Sequence, residues 1–419
     1  MRLLPTRVTE VIVPTRLGRS FRWLLGATIV NNFGDGVVVA AGPLLVFSLT
    51  DDPFLVSLSI AAGYLPVLLF GLPGGAVADR FDRKRIVVGA NLIRALVLFV
   101  LVAAIITNAV SILIVLVALF ALGIAETFAD SASSTLIPGL VNREDLGLAN
   151  ARASGGGFLL MNQLVGPPVG AFLFTIGLAL PFAVNAICFL LGAVLISRIV
   201  TSMPVRTGER TTIRSDLVEG VRWLMAHPPM RTLTLTILVF NVTFGAAFGV
   251  MVIYAKDHLG MGPVGFGLLT TATALGGVVG TVAYGSLERR FSLGGMLRVG
   301  LIIETLWHLT MAINTSAAIA LVTMFILGIH EFVWGTTSTV VRQRAVPDEI
   351  LGRVGGVYRV SIVGGIVIGT PIGGVLATLF GVTAPFWFGF VGSALLVAVM
   401  WQQFRHIAHA DDAPAPALA

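Results

Sequence analysis

Acidic and amide side chains interrupt two apolar stretches in the first half of the chain. Asp35 follows Asn31 and Asn32 by about one helical turn, and Glu126 lies four residues before Asp130. Residues four apart share one face of a helix, so each stretch would direct its polar groups to one side. At the centre of a bilayer an ionised group costs about 2.5–3.5 kcal/mol or more, so such groups mark ion or substrate pathways. We predict that Asp35 and Glu126 exchange protons in a cavity, with a buried structural pair as the alternative.

The second half of the chain carries its own polar groups in apolar stretches. Glu304 and His308 are again four residues apart, Glu331 follows His330, and Arg359 lies more than a turn inside another stretch. These groups are candidates for binding substrate or protons. A purely structural role is an equally open interpretation for all of them.

The composition requires a membrane protein. The chain has 419 residues, of which 56% are hydrophobic and 11% charged, and its mean hydropathy is +0.95. Soluble domains carry about 25% charged residues, and apolar runs of about 18 residues or more indicate transmembrane helices. We predict an all-α integral membrane protein with twelve transmembrane helices, near residues 23–49, 53–78, 86–106, 109–135, 155–177, 180–200, 231–255, 264–287, 294–313, 316–340, 354–379 and 383–404.

Basic residues are distributed unevenly between the two sides of these predicted helices. Of the 27 Lys and Arg, 24 fall in connections on one side, Lys256 falls on the other, and Arg94 and Arg359 lie inside spans. Loops rich in Lys and Arg stay in the cytoplasm, so both termini and the long central loop are predicted to be cytoplasmic. The net charge of +6 therefore reflects membrane topology, and we expect no nucleic-acid partner.

The chain contains an internal repeat. The segment that begins STLIPGLVNRED at Ser134 corresponds to the segment that begins STVVRQRAVPDE at Ser338, 204 residues later. Two pseudo-symmetric six-helix halves joined by a polar linker are typical of secondary transporters, which bind substrate between repeats. We predict a cytoplasmic N-terminal tail (1–22), a first six-helix half (23–200) and a cytoplasmic linker with an amphipathic surface helix (201–230). A second six-helix half (231–404) and a disordered cytoplasmic tail (405–419) follow.

Two motifs resemble those of the major facilitator superfamily. Between spans 2 and 3 the chain reads Gly75-x-x-x-Asp79-Arg80-x-x-Arg83-Lys84, which looks like the superfamily's signature loop. In span 5, Gly166-Pro167-Pro168-x-Gly170 is similar to its antiporter motif, and the prolines predict a bend. The turns LVNREDLGLANA and VPDEILGRV look most like the branch of macrolide-type drug exporters and enterobactin-type siderophore exporters.

The charged loop suggests a conformational latch. Asp79 ends span 2, where the helix dipole disfavours an anion, so it needs Arg80, Arg83 or another helix N-terminus as a partner. Gly75 would allow close helix approach, and we expect Asp130 to be a partner of Arg83. Anchoring of the basic residues to anionic lipid headgroups is the alternative interpretation of the loop.

Enzyme and ATP-driven classes have little support in the sequence. The stretch HEFVW at 330–334 lacks the second histidine of a zinc-protease helix, Cys188 is the sole cysteine, and the chain has no GxxxxGK[ST] loop. We predict a monomeric, proton-driven exporter of a bulky apolar small molecule in the cytoplasmic membrane, with no cofactor and no metal. Export of a siderophore or lysolipid, proton-coupled uptake, and a non-transporting membrane protein or membrane enzyme remain alternatives.

Overall fold

The computed structural model describes residues 15–200, 213–347 and 349–404 of the chain. Within these ranges the side chains of Thr15, Leu72, Ala76, Asp79 and residues 213–217 are not described. Most of the predicted N-terminal tail, the first part of the linker, the C-terminal tail and the Asp79 side chain therefore lie outside the described part.

The chain divides into two compact units. The first comprises Met1–Leu45 and Leu69–Gly208. The helices α1 to α7 are Gly18–Leu49, Pro53–Arg80, Arg83–Ile106, Ile112–Ser134, Leu146–Arg152, Gly166–Ile176 and Leu180–Ser197. Of these, α3 to α7 lie wholly in the first unit, together with most of α1 and the last part of α2. A π-helix, Ala153–Val165, joins α5 to α6. Within this unit α3 packs along α7 and α4.

The second unit comprises Val46–Leu68 and Glu209–Ala419. It therefore holds the hairpin formed by the end of α1 and the start of α2. Its other described helices are α8 to α14: Ile213–Ala226, Pro228–Gly249, Pro263–Arg290, Leu293–Ile313, Ala317–Ala345, Leu351–Phe380 and Ala384–Met400. Here α9 packs along α13, α10 along α12, and α11 against α14 and α12.

In the described residues, eleven helical segments are long and apolar enough to cross a membrane, and α14 is apolar but shorter. They lie at the positions that hydropathy predicts, because a backbone in lipid must satisfy its hydrogen bonds within the helix. The ends carry ordinary caps. Asp82 accepts a hydrogen bond from the backbone N–H of Arg85 at 3.2 Å, and Ser292 accepts one from Gly295 at 3.1 Å.

Glycines of α6 and α13 lie where helix backbones touch. In the first unit a Cβ on Gly170 would overlap the backbone of Val37. In the second unit a Cβ on Gly373 would overlap the carbonyl group of Ala246. Small residues allow membrane helices to approach in this way, so the sequence repeat corresponds to the same kind of packing in each unit. In the first unit the helix also changes from π to α at Gly166, beside the predicted bend.

The linker helix α8 packs against α13 and α9 within the second unit. Its Glu219 carboxylate accepts a hydrogen bond from Arg353 Nη1 at 2.8 Å, and Trp223 and Leu224 are buried. Gly220 lies against the backbone of Arg353. The linker helix, which was predicted to lie along the membrane surface, therefore also supports the start of α13.

Gly373 should be among the least tolerant positions of the second unit. We expect Gly373→Ala to lower the free energy of unfolding by about 1–3 kcal/mol, because the added methyl group must displace the Ala246 backbone. The matched variant Gly355→Ala adds a methyl group to open space on the same helix and should be neutral or stabilising by up to about 1 kcal/mol. Thermal unfolding of the purified protein in detergent measures both variants, and equal effects would contradict the packing described.

Candidate functional site

A buried guanidinium lies between the two acids of the first half. Arg94 of α3 donates a hydrogen bond to Asp35 Oδ1 of α1, and its Nη2 lies 3.5 Å from Glu126 Oε2 of α4. The exposed fractions of these side chains are 4% for Arg94, 18% for Asp35 and 43% for Glu126. The structure thus brings both predicted acids to one arginine.

The surroundings of Arg94 fix its orientation. Its guanidinium carbon lies 3.8 Å from the ring centroid of Phe189 on α7, so a cation–π contact supports it on one side. With both carboxylates ionised, the two acids and Arg94 together carry a net charge of one negative unit. A proton on either carboxylate makes the cluster neutral.

The role of Arg94 was not predicted from the sequence. Arg94 lies inside a predicted span, where an ionisable residue calls for a partner of opposite charge. The residue is separated from Asp35 by 59 positions, so no local spacing connects them.

The asparagines near Asp35 have partners of their own. Asn31 Nδ2 donates to Asn91 Oδ1 at 3.3 Å, and Asn32 Nδ2 donates to the backbone carbonyl of Thr28 at 2.9 Å. Asn31 and Asp35 share a face as predicted, but each contacts a different residue of α3.

The charged loop binds backbone carbonyls on the first unit. Arg83 donates to the carbonyls of Ala78 at 3.4 Å and Thr135 at 3.3 Å. Lys84 Nζ donates to the carbonyl of Ile199 at 2.7 Å, beyond the C-terminal end of α7, where a cation is favourable.

Other parts of the latch differ from the expectation or remain open. A Cβ at Gly75 would meet open space, whereas a Cβ at Gly74 would lie 3.1 Å from Ser131 Oγ of α4. A close approach of α2 and α4 therefore occurs at Gly74, and the role expected of Gly75 stays a prediction. Arg80 and Asp130 are exposed, and the pairing of Asp79 with a partner stays a prediction.

A cavity of about 480 Å³ lies within the second unit, between α9, α12 and α13. One wall is aromatic, because the rings of Phe240 and Trp334 stack with centroids 5.8 Å apart. Tyr358 adds a third ring and donates its hydroxyl proton to Ser338 Oγ at 3.1 Å. The size lies within the range of small-molecule sites, which are usually lined by apolar and aromatic groups.

Charged side chains of both signs line this cavity. Glu331 and Arg359, both predicted as site candidates, contribute to its wall together with Arg342. The guanidinium carbon of Arg342 lies 4.4 Å from the ring centroid of Tyr358. Among the described residues, Arg342 Nη1 is buried without a hydrogen-bond acceptor, so a bound ligand could supply one.

The remaining two candidates lie in the core of the second unit. Glu304 and His308 are fully buried, with Glu304 Oε1 3.2 Å from His308 Nε2. His330 Nε2 of α12 lies 3.8 Å from Glu304 Oε2. The polar face of α11 is therefore turned inward, against α12 and α14.

Comparison with known families decides the class of the protein. Residues 12–417 match the family described as transmembrane secretion effector. The chain belongs to this family of the major facilitator superfamily. It is therefore a membrane transporter of the efflux type and not an enzyme, as the sequence motifs predicted.

Curated relatives cover nearly the whole chain at low identity. The multidrug efflux pump Tap of Mycolicibacterium fortuitum is 26% identical, over 87% of this chain and 90% of the relative. Macrolide efflux protein A of Streptococcus pyogenes is 24% identical, over 88% and 92%. The enterobactin exporter EntS of Shigella boydii serotype 4 is 25% identical, over 92% and 93%.

A solved structure shares the fold. The inward-facing bacterial homologue of the iron transporter ferroportin superposes with a TM-score of 0.73 at 17% identity, over 93% of this chain and 98% of that chain. At this identity the likeness concerns the fold alone.

Proposed function

We propose that the protein is a proton-coupled antiporter that exports an apolar small molecule of the drug type across the cytoplasmic membrane. The observation that carries this proposal is the contact of one buried arginine, Arg94, with the two carboxylates of Asp35 and Glu126. Such a cluster holds one exchangeable proton, since it is neutral with that proton and negative without it.

Glu126 is the carboxylate suited to take up and release the proton. Its side chain is more exposed than that of Asp35 and lies farther from Arg94. When Glu126 is ionised it shares Arg94 with Asp35. When its oxygen accepts a proton, Arg94 turns fully to Asp35, which acts as the permanent counter-ion. Entry of a proton from outside and its release inside would drive the opposite movement of substrate.

The cavity of the second unit supports an aromatic or apolar substrate. Phe240, Trp334 and Tyr358 offer flat rings for stacking, and aromatic contacts contribute about 0.5–1.5 kcal/mol each beyond area burial. Relatives named as multidrug and macrolide efflux proteins support the drug class for this chain.

Export of an acidic metabolite is the second candidate, and Arg342 and Arg359 favour it. Two guanidinium groups that line the same cavity suit a carboxylate or a similar anion. The similarity to an enterobactin exporter agrees with this alternative. We further propose that α14 is the twelfth span, that both termini are cytoplasmic and that the monomer is the working unit.

Susceptibility profiling tests the proposed substrate class. A host that lacks this gene and one that overexpresses it are exposed to drugs and to acidic metabolites, with Glu126→Gln as the inactive control. We expect overexpression to raise tolerance to apolar drugs and the control to abolish that gain. Uniform sensitivity to every drug, with changed tolerance or secretion of a metabolite, would favour the second candidate instead.

The proposed topology predicts which positions an impermeant thiol reagent reaches in intact cells. In a background where the buried Cys188 is replaced by alanine, cysteines at the exposed positions Asp51 and Asn108 should label from outside. Cysteines at Asp82 and Glu349 should label only after the cells are opened, as should one at Glu209. Reversed labelling would contradict the assignment by basic residues.

The latch predicts unequal effects within the charged loop. Asp79→Asn should leave a folded, inserted protein but reduce transport about tenfold or more, because it removes the anion that the loop compensates. Arg85→Gln should reduce transport only slightly. The Arg85 side chain is 89% exposed and its contact with Asp82 is long, at 3.7 Å, and such surface pairs contribute about 0–1 kcal/mol. Drug efflux at matched protein levels measures both, and equal effects would favour headgroup anchoring.

A further inference from the structure

The polar core of the second unit has no part in the mechanism above. Glu304 and His308 of α11 and His330 of α12 lie together with exposed fractions of 0–1%. Within the described residues, neither carboxylate oxygen of Glu304 has a donor in hydrogen-bonding geometry. An ionised carboxylate so placed is costly unless it is neutralised.

Glycines on neighbouring helices make room for both imidazole rings. A Cβ at Gly389 of α14 would overlap the ring of His308, and a Cβ at Gly300 of α11 would lie 2.9 Å from Cε1 of His330. The ring of Trp307 covers His308 edge-on, with centroids 4.4 Å apart. The absence of a side chain at Gly389 and Gly300 therefore leaves the space that the two imidazole rings fill.

The charges near this cluster come from few elements. On α12 the facing titratable groups are His330 and Glu331, whose carboxylate is close enough to interact with that of Glu304. The helix α14 carries no titratable residue, and the ionisable residue of α9, Arg231, lies in its first turn. On α11 itself, Arg298 lies against the ring of Trp401. No described cation therefore offsets Glu304 except a protonated histidine.

One proton makes the cluster neutral. With Glu304 ionised and both histidines neutral, the site carries a net negative charge inside the membrane, which is unfavourable. An additional proton, held on the carboxylate or on either imidazole, removes that charge. Glu304 Oε1 and His308 Nε2 are 3.2 Å apart without hydrogen-bond alignment, so a small rotation of either side chain would let the pair share that proton.

The cluster lies directly behind the wall of the cavity. The ring of His330 is 5.9 Å from that of Phe240, which lines the cavity, and the next residue, Glu331, lines it as well. We propose that Glu304, His308 and His330 form a second proton-binding site, which shares one proton and is linked through Glu331 to the charge inside the cavity. This inference rests on the proposed function and gives the second half its own proton site.

Proton binding can be measured without transport. Exchange of the histidine C2 hydrogen, followed by mass spectrometry over about pH 5–8, reports the titration of each histidine in the purified protein. We expect the midpoints of His308 and His330 to shift by about one pH unit or more in Glu304→Gln, and that of His330 to shift less in Glu331→Gln. Glu288→Gln, which removes the partner of Arg344 near the surface, should change neither.

Potentiometric titration over the same range should show that Glu304→Gln takes up about one proton fewer than the wild type. If Glu304→Gln does not fold, His308→Gln should shift the His330 midpoint in its place. Unchanged midpoints in these variants, or wild-type midpoints of both histidines equal to those of free peptides, would overturn the proposal. Because transport is not measured, this failure is distinguishable from a failure of the exporter function, which depends on Glu126.

Discussion

Replacing Arg94 with glutamine should destabilise the first half by about 3–5 kcal/mol, because it leaves the largely buried Asp35 carboxylate without its counter-ion. Arg94 contacts Asp35, Glu126 and the ring of Phe189, and glutamine can replace none of these charge interactions. We expect a lower unfolding temperature in detergent and a smaller yield of inserted protein.

The double variant separates loss of charge from loss of packing. Asp35→Asn in the Arg94→Gln background removes the unpaired carboxylate, so it should restore part of the stability although not the transport. Arg85→Gln on the exposed loop should change the stability by less than about 0.5 kcal/mol. A full loss in the double variant, or no loss in Arg94→Gln, would contradict the ion pair as described.

The two acids should respond differently to neutralisation. Glu126→Gln is expected to abolish concentrative transport and to leave substrate exchange largely intact, because the side chain that takes up the proton is gone while Arg94 keeps Asp35. Asp35→Asn should also reduce transport, but mainly by freeing Arg94 to hold Glu126 in its ionised form. Efflux measured at a series of external pH values distinguishes them.

In this comparison, Glu126→Gln should give a flat pH profile with folded protein, and Asp35→Asn a residual dependence on pH. Thr127→Val, a neighbour on α4 whose hydroxyl bonds the carbonyl of Gly123 at 2.7 Å, is the matched control and should retain the wild-type profile. Unchanged pH dependence in both acid variants would mean that neither carboxylate carries the proton.

The helical segments could be predicted from the sequence because hydropathy is a local property. The apolar stretch 294–313 corresponds to Leu293–Ile313 in the structure, and 264–287 to Pro263–Arg290. A stretch of about 20 apolar residues can satisfy its backbone in lipid in essentially one way.

The rotation of each helix about its own axis could not be predicted in this way. In a membrane helix the lipid-facing and protein-facing sides are both apolar, so the sequence gives little indication of which side turns inward. The spacing of Glu304 and His308 predicts that they share a face of α11, but it does not predict that this face is buried within the second unit. The partners of Asp35 and Glu304 are Arg94 and His330, which only the packing of separate helices brings near.

The central claim is that an inward proton flux drives export through the Arg94 cluster. The most direct test uses proteoliposomes and a compound that susceptibility profiling identifies as a substrate, with a pH gradient imposed across the membrane. The account predicts accumulation of the compound in the lumen when the lumen is more acidic than the bath, and loss of that accumulation in Glu126→Gln. Accumulation that is the same without a gradient, or that requires a more alkaline lumen, would contradict it, and the latter result would indicate proton-coupled uptake.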